Sequence, residues 1–226
     1  RSMKAVRAEE PPVIDGVLDD AVWESASVTE NFLSVTYPGE IDENVITRLL
    51  CDDDFIYIAF ECIGSTEDIV ANERKYDRMS VRFDDYFLLG FDTFRSKNQA
   101  YIFVVNPLGT RWDAREGLYG RNASWDAEWK SATTILPDRW VGELAIPIGV
   151  MYFNRSKDET WGVNFRRRLR SVDHSSHWNF TDYTGDQQRA GGQRFIEDFG
   201  LLTGLDLSKT KIRRRTKQPV PGRYGT

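Results

Sequence analysis

Two groups of neighbouring carboxylates are the first candidates for chemistry, because a glycosidase needs one carboxyl group as acid and another as base or nucleophile. Asp84 and Asp85 are adjacent at the start of a predicted strand, so their side chains point to opposite faces and cannot serve one site. Residues 52–54 are all aspartate and lie in a predicted hairpin turn, where short carboxylates bond nearby backbone N–H groups. Both groups are therefore interpreted as structural, and hydrolysis of O-glycosyl bonds is kept only as an alternative function.

Metal binding and nucleophilic catalysis have less support in the sequence. His174 and His177 stand three residues apart, without a zinc-type ligand spacing. Neither a Gly-x-Ser-x-Gly motif nor a phosphate-binding glycine-rich loop occurs. No cofactor is required by any motif in the sequence. Structural calcium is an alternative, because four carboxylates lie in or beside one long loop. Solvated loop acids are the simpler interpretation of these carboxylates. These four are Asp113, Glu116, Asp126 and Glu128.

The aromatic residues indicate binding more strongly than catalysis. They make up 13% of the 226 residues and include 7 Trp. Four of the indoles lie in periodic segments and are predicted core: Trp23, Trp129, Trp140 and Trp161. The other three, Trp112, Trp125 and Trp178, lie near turns with polar neighbours. That setting suits a ring that stacks on a sugar while polar side chains meet the hydroxyls, although buried packing is the simpler reading of each ring alone.

The charge distribution argues against a nucleic-acid partner. The formal net charge is -5, whereas binding to a phosphate backbone calls for an excess of Lys and Arg. Residues 203–226 are basic and contain several Pro and Gly residues, which predicts a solvated linker. No apolar run reaches the length of about 18 residues that a transmembrane helix needs.

Most of the chain reads as short strands separated by turn residues. Three hairpins are predicted, pairing 45–50 with 55–63, 85–92 with 99–105, and 127–135 with 139–146. A helix is predicted within 15–26, capped by Asp19 or Asp20 and directing Trp23 to the core. Without β-α-β alternation, this pattern predicts an all-β antiparallel β-sandwich, jelly-roll-like or immunoglobulin-like, with one or two short helices.

Side-chain alternation and the cysteines add two finer predictions. In 161–171 the apolar side chains share one face, and Arg167 is the single charged residue on that face. Cys51 and Cys62 fall on the two arms of one hairpin, Cys51 beside the turn and Cys62 far from it. A disulfide needs Cα atoms within about 7 Å, so both are predicted to be buried thiols outside any disulfide.

Five segments, in order, resemble the family 9 carbohydrate-binding modules, and together they span residues 13 to 202. The segments are Ile14–Trp23 (IDGVLDDAVW), Cys51–Ile58 (CDDDFIYI), Asp84–Leu88 (DDYFL), Trp140–Pro147 (WVGELAIP) and Trp161–Arg167 (WGVNFRR). Two further segments look like the subgroup at the amino terminus of large bacterial surface proteins in which a β-barrel follows. These are Asn106–Asp113 (NPLGTRWD) and Phe199–Leu205 (FGLLTGL).

The resemblance implies a jelly-roll-like sandwich, sugar binding, structural calcium and a link to polysaccharide breakdown. The family is associated with glycoside hydrolases that act on xylan-type polysaccharides, yet its modules are non-catalytic. Sugar-binding members clamp a terminal sugar between two Trp rings, and Trp178 matches the later one. The loop that should carry the other, residues 74–83, offers Tyr76 and Phe83 instead.

The leading hypothesis is non-catalytic binding of the ends of plant-type or microbial polysaccharides. Residues 13–202 would form the module, 1–12 a linker, and 203–226 a basic linker to a C-terminal domain. Trp178 and Tyr76 would be stacking platforms. The other candidate carbohydrate-binding residues are Asn106, Arg74, Asp182, Trp112 and Trp125.

The hypothesis also implies a place and a partner. The protein would lie in the periplasm, at the outer membrane or outside a bacterial cell, and its partner would be an oligo- or polysaccharide. The main alternative is a structural or gating domain that docks on an outer-membrane β-barrel of the same protein. A stripe of Arg166, Arg168 and Arg170 could serve that docking, although a cross-strand ladder with acidic neighbours is the simpler interpretation.

Overall fold

The alternating sequence patterns produce two β-sheets that pack face to face, as predicted. The computed structural model describes residues 1–35, 40–42, 44–117, 120–181 and 195–212. Within these residues the strands are β1 (Ser2–Lys4), β2 (Val6–Arg7), β3 (Ser27–Thr29), β4 (Phe32–Ser34), β5 (Ile41–Asp42), β6 (Val45–Cys51), β7 (Phe55–Ile63), β8 (Tyr86–Asp92), β9 (Gln99–Val105), β10 (Arg111–Gly117), β11 (Gly120–Asn122), β12 (Lys130–Leu136), β13 (Arg139–Pro147), β14 (Glu159–Leu169), β15 (His174–His177) and β16 (Gly200–Leu205).

The larger sheet runs in the order β11-β10-β9-β8-β14-β15-β4-β5, with β16 also on β14 and β1 on β16. The smaller sheet runs β12-β13-β7-β6-β2, with β3 also paired to β6. Two of these pairings, β1 with β16 and β2 with β6, are parallel, and both involve the first residues of the chain. The other pairings in the described residues are antiparallel, as the hairpin pattern predicts.

The main core lies between the two sheets and is rich in aromatic rings. Phe60 on β7 stacks on Phe87 on β8 with ring centroids 4.0 Å apart, so this pair joins the sheets directly. Trp140 on β13 meets Phe60 edge to face at 4.9 Å. Trp161 and Trp129 are buried in the same core, and the predictions for both indoles are confirmed.

A second apolar layer covers the outer face of the larger sheet, meaning the face that points away from the sandwich interior. Trp112 and Ile102 belong to it, and residues 195–199 pack over them, with 195–197 helical. Gly90 on β8 makes this close packing feasible, because a Cβ atom there would lie 2.5 Å from the ring of Phe199. The outer face is therefore partly sheltered rather than open along its whole length.

The predicted helix within 15–26 is only a five-residue 3₁₀ turn, Ala21–Ser25. Neither of the proposed caps works as predicted: Asp20 stands at the cap position, but its carboxylate accepts the N–H of Val13, seven residues earlier. The prediction for Trp23 is confirmed, since its indole is buried and donates to the Glu143 carboxylate at 2.9 Å. Two further 3₁₀ turns, Met79–Phe83 and Ile148–Val150, lie in loops.

The three predicted hairpins are confirmed, with small changes in their ends. The Asp52 carboxylate accepts the N–H groups of Asp54 and Phe55, each at 2.7 Å, and so closes the β6–β7 turn as expected. Strand β12 begins at Lys130 rather than 127, because the preceding residues bond to Asp113 instead. Cys51 and Cys62 are buried and form no disulfide, as predicted.

Arg167 faces the core, and its guanidinium bonds to backbone carbonyl groups there. Its side chain is buried and donates to the carbonyl oxygens of Asn44 at 3.1 Å and Ile63 at 2.9 Å. These carbonyls lie beside the ends of β6 and β7, where the strand ladder stops and backbone oxygens need donors. The charged exception in the 161–171 pattern is therefore a structural clasp between the sheets.

The sheets extend past both ends of the predicted range 13–202. Met3 is buried and β1 pairs with β16, so the first residues are part of the sheet and not a linker. At the other end β16 continues to Leu205, and the side chains of Leu207 and Thr210 are buried. Short strands that complete a sheet edge have no long periodic pattern, which is why the sequence gives them little signal.

Candidate functional site

One end of the sandwich carries an exposed loop, residues 72–84, which is called the platform loop below. It precedes β8 and passes close to β10, because the N–H of Asp77 donates to the carbonyl of Arg111 at 3.0 Å. Asp84 anchors it from below: its buried carboxylate accepts the N–H groups of Asn72 and Glu73, each at 2.9 Å. The loop therefore has a fixed base although its upper side chains face solvent.

Asn106 is the second anchor and not a sugar contact as predicted. Its amide nitrogen donates to the Glu73 carbonyl at 2.9 Å and to the Asp84 carboxylate at 2.8 Å. Its amide oxygen accepts the N–H groups of Leu108 and Thr110 at 3.1 and 2.9 Å. Both donors and both acceptor positions of this buried amide are thus in use, so the predicted contact with a hydroxyl group is wrong.

Tyr76 is the platform loop's fixed and exposed aromatic ring. The residue is 46% exposed, and its hydroxyl lies 3.0 Å from the Asp126 carboxylate and 3.3 Å from the Ala127 carbonyl. The guanidinium of Arg111 lies over the ring, 4.9 Å from its centroid. Burial of the hydroxyl end, with the negative charges of Asp113 and Asp126, raises the pKa of Tyr76, so the phenol stays a neutral donor.

The same loop exposes two more apolar side chains and one predicted polar contact. Phe83 is 67% exposed, and Met79 is also exposed, with its sulfur 3.5 Å from Arg121. Arg74 is exposed, as a contact to a ligand hydroxyl would require. Arg111 and Asp126, which hold Tyr76 in place, were not predicted for that role. In the sequence Arg111 is only a polar residue next to Trp112, which is a weak signal for this role.

Trp112 does not offer a stacking surface, contrary to prediction. The residue is 1% exposed and belongs to the layer on the outer face of the larger sheet. The guanidinium groups of Arg82 and Arg121 lie over its ring at 5.6 and 5.4 Å from the centroid. Since the indole is almost fully buried, the predicted contact with a sugar ring is wrong.

Trp125 and Trp178 are also buried, which overturns their predicted roles. Trp125 is 6% exposed and packs against Tyr101, with 5.0 Å between the ring centroids. Trp178 is 2% exposed, meets Phe165 edge to face at 5.7 Å, and packs against the backbone of Gly200. A position near a turn was a poor guide to exposure, because the sandwich core extends to the ends of the strands.

Asp182 and His177 are two further candidate residues close to Trp178 in the sequence. Asp182 lies outside the described residues, so its proposed hydroxyl contact stays a prediction. His177 is buried, and its Nε2 accepts a hydrogen bond from Nε of Arg166 at 2.6 Å. Burial, with the nearby charge of Arg166, holds the pKa of His177 well below its usual value, so the ring is neutral at physiological pH.

Three of the four acids considered as calcium ligands contact other side chains. Asp113 is buried and accepts the indole N–H of Trp129 at 2.9 Å. Glu116 pairs with two arginines, at 3.4 Å with Arg82 and 2.6 Å with Arg121. Asp126 contacts Tyr76, and Glu128 is exposed. The described part of the chain contains no group of three His, Cys, Asp or Glu side chains arranged to hold a metal ion.

The candidate glycosidase carboxylates are also in structural use. Asp84 anchors the platform loop, and Asp85 accepts the N–H of Arg170 at 2.7 Å. Burial raises the pKa of Asp85, although hydrogen bonds with the backbone of Arg170 and Val70 oppose the shift. Asp84 is 2% exposed and Asp85 1% exposed, so this pair does not present the two accessible carboxyl groups that glycoside hydrolysis needs.

Asp113 gives stability a pH dependence that can be measured. Burial, together with the charges of Asp126 and Asp77, raises its pKa to about 8 despite the hydrogen bond from Trp129. The pKa of an aspartate carboxyl in the unfolded chain is about 4, so between pH 4 and 8 the folded state binds the proton more tightly than the unfolded state. The stabilisation from Asp113 is complete below about pH 4 and is lost as the pH rises through about 8.

We therefore expect Asp113→Asn to flatten the fall in the free energy of unfolding between pH 4 and 8. The residue contributes up to about 1.4 kcal/mol per pH unit to that slope. Urea unfolding at several pH values measures it, with Asp53→Asn at an exposed ion pair as the matched control. Equal slopes in the wild type and Asp113→Asn would show that Asp113 is ionised in the folded protein.

Comparison with known structures supports the architecture directly. No protein-family model matches the chain, and no curated protein sequence matches it. A family 9 carbohydrate-binding module from Caldicellulosiruptor kristjanssonii in complex with glucose has TM-score 0.61 and 16% identity, covering 97% of this chain and 100% of that one. The same comparison with a family 9 module from that organism in complex with cellotriose gives TM-score 0.61, 16% identity, and 95% of each chain.

A third structure belongs to a candidate carbohydrate-binding protein from Bacteroides uniformis. It has TM-score 0.66 and 14% identity, and covers 90% of this chain and 98% of that one. At such low identity the shared property is the fold, and the side chains of the binding site are not carried over. The two-sheet sandwich described above is therefore the fold of a family 9 carbohydrate-binding module.

Proposed function

We propose that this chain is a non-catalytic carbohydrate-binding module whose site is built on the platform loop. The observation that carries the proposal is Tyr76, an exposed ring held in one orientation by Arg111 and Asp126. A fixed ring loses little conformational freedom when a ligand binds, which favours affinity. The hydroxyl groups of a sugar stacked on this ring would meet the polar side chains of Arg74, Arg111 and Asp126.

The solved structures with the same fold support this proposal. Two of them are family 9 modules that bind glucose and cellotriose, and we infer the same class of ligand here. The ends of plant-type or microbial polysaccharides remain the proposed target. Tyr76 lacks a tryptophan partner among the exposed described residues, so the ligand would not be clamped between two rings. We therefore expect weak affinity, on the order of millimolar Kd or about −4 kcal/mol.

The decisive variant is Tyr76→Ala, because it removes the ring and leaves the loop anchors in place. We expect calorimetric titration with cello-, xylo- and manno-oligosaccharides to show binding to the wild type and none to Tyr76→Ala. Tyr152→Ala is the matched control, because Tyr152 is 72% exposed at the opposite end of the larger sheet. The backbone carbonyl and N–H of Tyr152 bond to the hydroxyl groups of Thr93 and Tyr101, and alanine keeps both of these backbone groups. Equal affinity in wild type and Tyr76→Ala would overturn the proposed site.

The place and setting of the protein follow from the proposed ligand. A polysaccharide is too large and polar to cross a membrane, so we place this chain in the periplasm, at the outer membrane or outside a bacterial cell. A role in polysaccharide breakdown or uptake is part of the same proposal. No helix in the described residues is long and apolar enough to span a membrane. Docking on a β-barrel of the same protein stays a prediction, as does structural calcium.

A further inference from the structure

Five arginines lie in two groups on the outer face of the larger sheet: Arg82 and Arg121 over Trp112, and Arg166, Arg168 and Arg170 along the end of β14. They share two carboxylates. Glu116 serves Arg82 at 3.4 Å and Arg121 at 2.6 Å, while Asp173 serves Arg168 and, at 3.8 Å, Arg170. The fifth member, Arg166, forms no ion pair with a carboxylate among the described residues. This group, called the arginine cluster below, therefore carries a surplus of positive charge.

Arg166 is held in place by neutral groups. Its Nε donates to the neutral ring of His177 at 2.6 Å, and its guanidinium lies 4.5 Å from the centroid of the Phe195 ring. On β14 it pairs with His177 on one side and Leu88 on the other, so the expected ladder of arginines with acidic cross-strand neighbours is not formed. The side chain is half-buried, and a half-buried cation without a counter-charge favours an anionic ligand.

Tyr86 lies beside the cluster. Its side chain is on the outer face with Arg166 and Arg168, and its hydroxyl is within hydrogen-bonding reach of Arg166. Burial opposes ionisation of this phenol, yet the charges of Arg166, Arg82 and Arg168 bring its pKa below the usual value. The surroundings of Tyr86 are thus electropositive.

We propose that the arginine cluster binds the carboxylate of a uronic acid, so that the ligand of this module is an acidic oligosaccharide. The planar guanidinium of Arg166 can donate two parallel hydrogen bonds to a carboxylate, the geometry that arginine forms best. This inference rests on the proposed function. It adds the charge of the sugar to the neutral stacking on Tyr76.

The two parts of the site are joined by the platform loop, with Tyr76 near its start and Arg82 near its end. At the level of the sheet, Arg111 on β10 is separated from β14 by β9 and β8, through the row Val105, Phe87 and Arg167, and Arg166 follows next to this row on the outer face. Three strand spacings amount to about 14 Å. A single sugar ring cannot reach both parts, so the structure favours an oligosaccharide that lies along the loop.

The test compares an oligogalacturonide with its fully methyl-esterified form, in which each carboxylate is a neutral ester, by calorimetric titration at low salt. We expect the acidic probe to bind the wild type about tenfold more tightly, as a charge-assisted hydrogen bond allows. In Arg166→Gln this advantage should disappear, while affinity for the methyl ester stays unchanged. Arg7→Gln, an exposed arginine paired with Asp53 on the other sheet, is the matched control and should keep the advantage.

Arg82→Gln is the second variant, in case Arg166→Gln fails to fold, and it should reduce the advantage several-fold. Raising the salt concentration should weaken binding of the acidic probe and leave that of the ester unchanged. Equal affinity for both probes, or an equal loss for both in Arg166→Gln, would overturn the acidic-ligand proposal and leave carbohydrate binding intact. Failure of the folded chain to bind either probe, or any neutral oligosaccharide, would instead remove the proposed function.

Discussion

Replacing Asp84 by alanine is expected to lower the free energy of unfolding by about 3 kcal/mol or more and to abolish carbohydrate binding. The buried carboxylate accepts three hydrogen bonds, from the N–H groups of Asn72 and Glu73 and from the amide of Asn106. Each buried donor left without an acceptor costs about 1–3 kcal/mol. The platform loop would lose its base, and Tyr76 its fixed orientation.

Urea unfolding and calorimetric titration of the same sample test this prediction. Asp84→Asn keeps one acceptor oxygen and should lose less stability than Asp84→Ala. Asp53→Ala removes an exposed carboxylate at a turn of the other sheet and should change neither measurement. If folded Asp84→Ala binds oligosaccharide as tightly as the wild type, the platform loop does not position the site.

The second large effect is expected at Glu143, a buried carboxylate in the smaller sheet. It accepts the N–H groups of Asp15 at 3.1 Å and Gly16 at 2.9 Å, and the indole N–H of Trp23 at 2.9 Å. Glu143→Ala leaves three donors without an acceptor and should lower the free energy of unfolding by about 3 kcal/mol or more. Because the three hydrogen bonds of Glu143 go to Asp15, Gly16 and Trp23 and not to the platform loop, the folded fraction should bind sugar with unchanged affinity.

The pair Asp84→Ala and Glu143→Ala separates stability from binding. Both remove a buried acceptor of three hydrogen bonds, but only Asp84 supports the loop that carries Tyr76. Titration below the unfolding temperature, after circular dichroism has confirmed the folded state, gives the comparison. Loss of binding in both variants would mean that stability alone controls the site.

The strands were predictable because local pattern and final burial agree. On β7 the alternating positions Ile56, Ile58 and Phe60 face the core between the sheets, while Tyr57 and Ala59 face the other side, as their spacing indicates. The β6–β7 turn was predictable for the same reason, since Asp52 bonds to backbone groups only two and three residues away. Contacts between residues only two or three positions apart can be predicted from the local sequence.

The edges of the sheets and the site depend on contacts between distant residues. Met3 is buried because β1 meets β16, nearly two hundred residues later, and nothing near Met3 in the sequence announces that pairing. Trp178 is buried against Phe165 and Gly200 for the same kind of reason. The prediction of Trp178 as a surface ring, which used its polar neighbours in the sequence, was therefore wrong.

The candidate site was predictable only in outline. The loop 74–83 and its Tyr76 came from the family resemblance, and the structure leaves Tyr76 and Arg74 exposed there. The role of Asn106 as a loop anchor could not be foreseen, because its partners Glu73 and Asp84 lie 33 and 22 residues away. A polar residue in a turn looks the same in sequence whether it binds a ligand or holds the backbone.

The most direct test of the account is amide chemical-shift mapping by NMR, with cellotriose titrated into isotope-labelled protein. We expect the shifts to concentrate in the platform loop, around Arg111 and around Asp126, and to saturate together with one Kd. The region of Phe94 and Tyr152, at the opposite end of the larger sheet, should stay unchanged. Shifts confined to that opposite end, or none in the platform loop at saturating ligand, would contradict the proposed site.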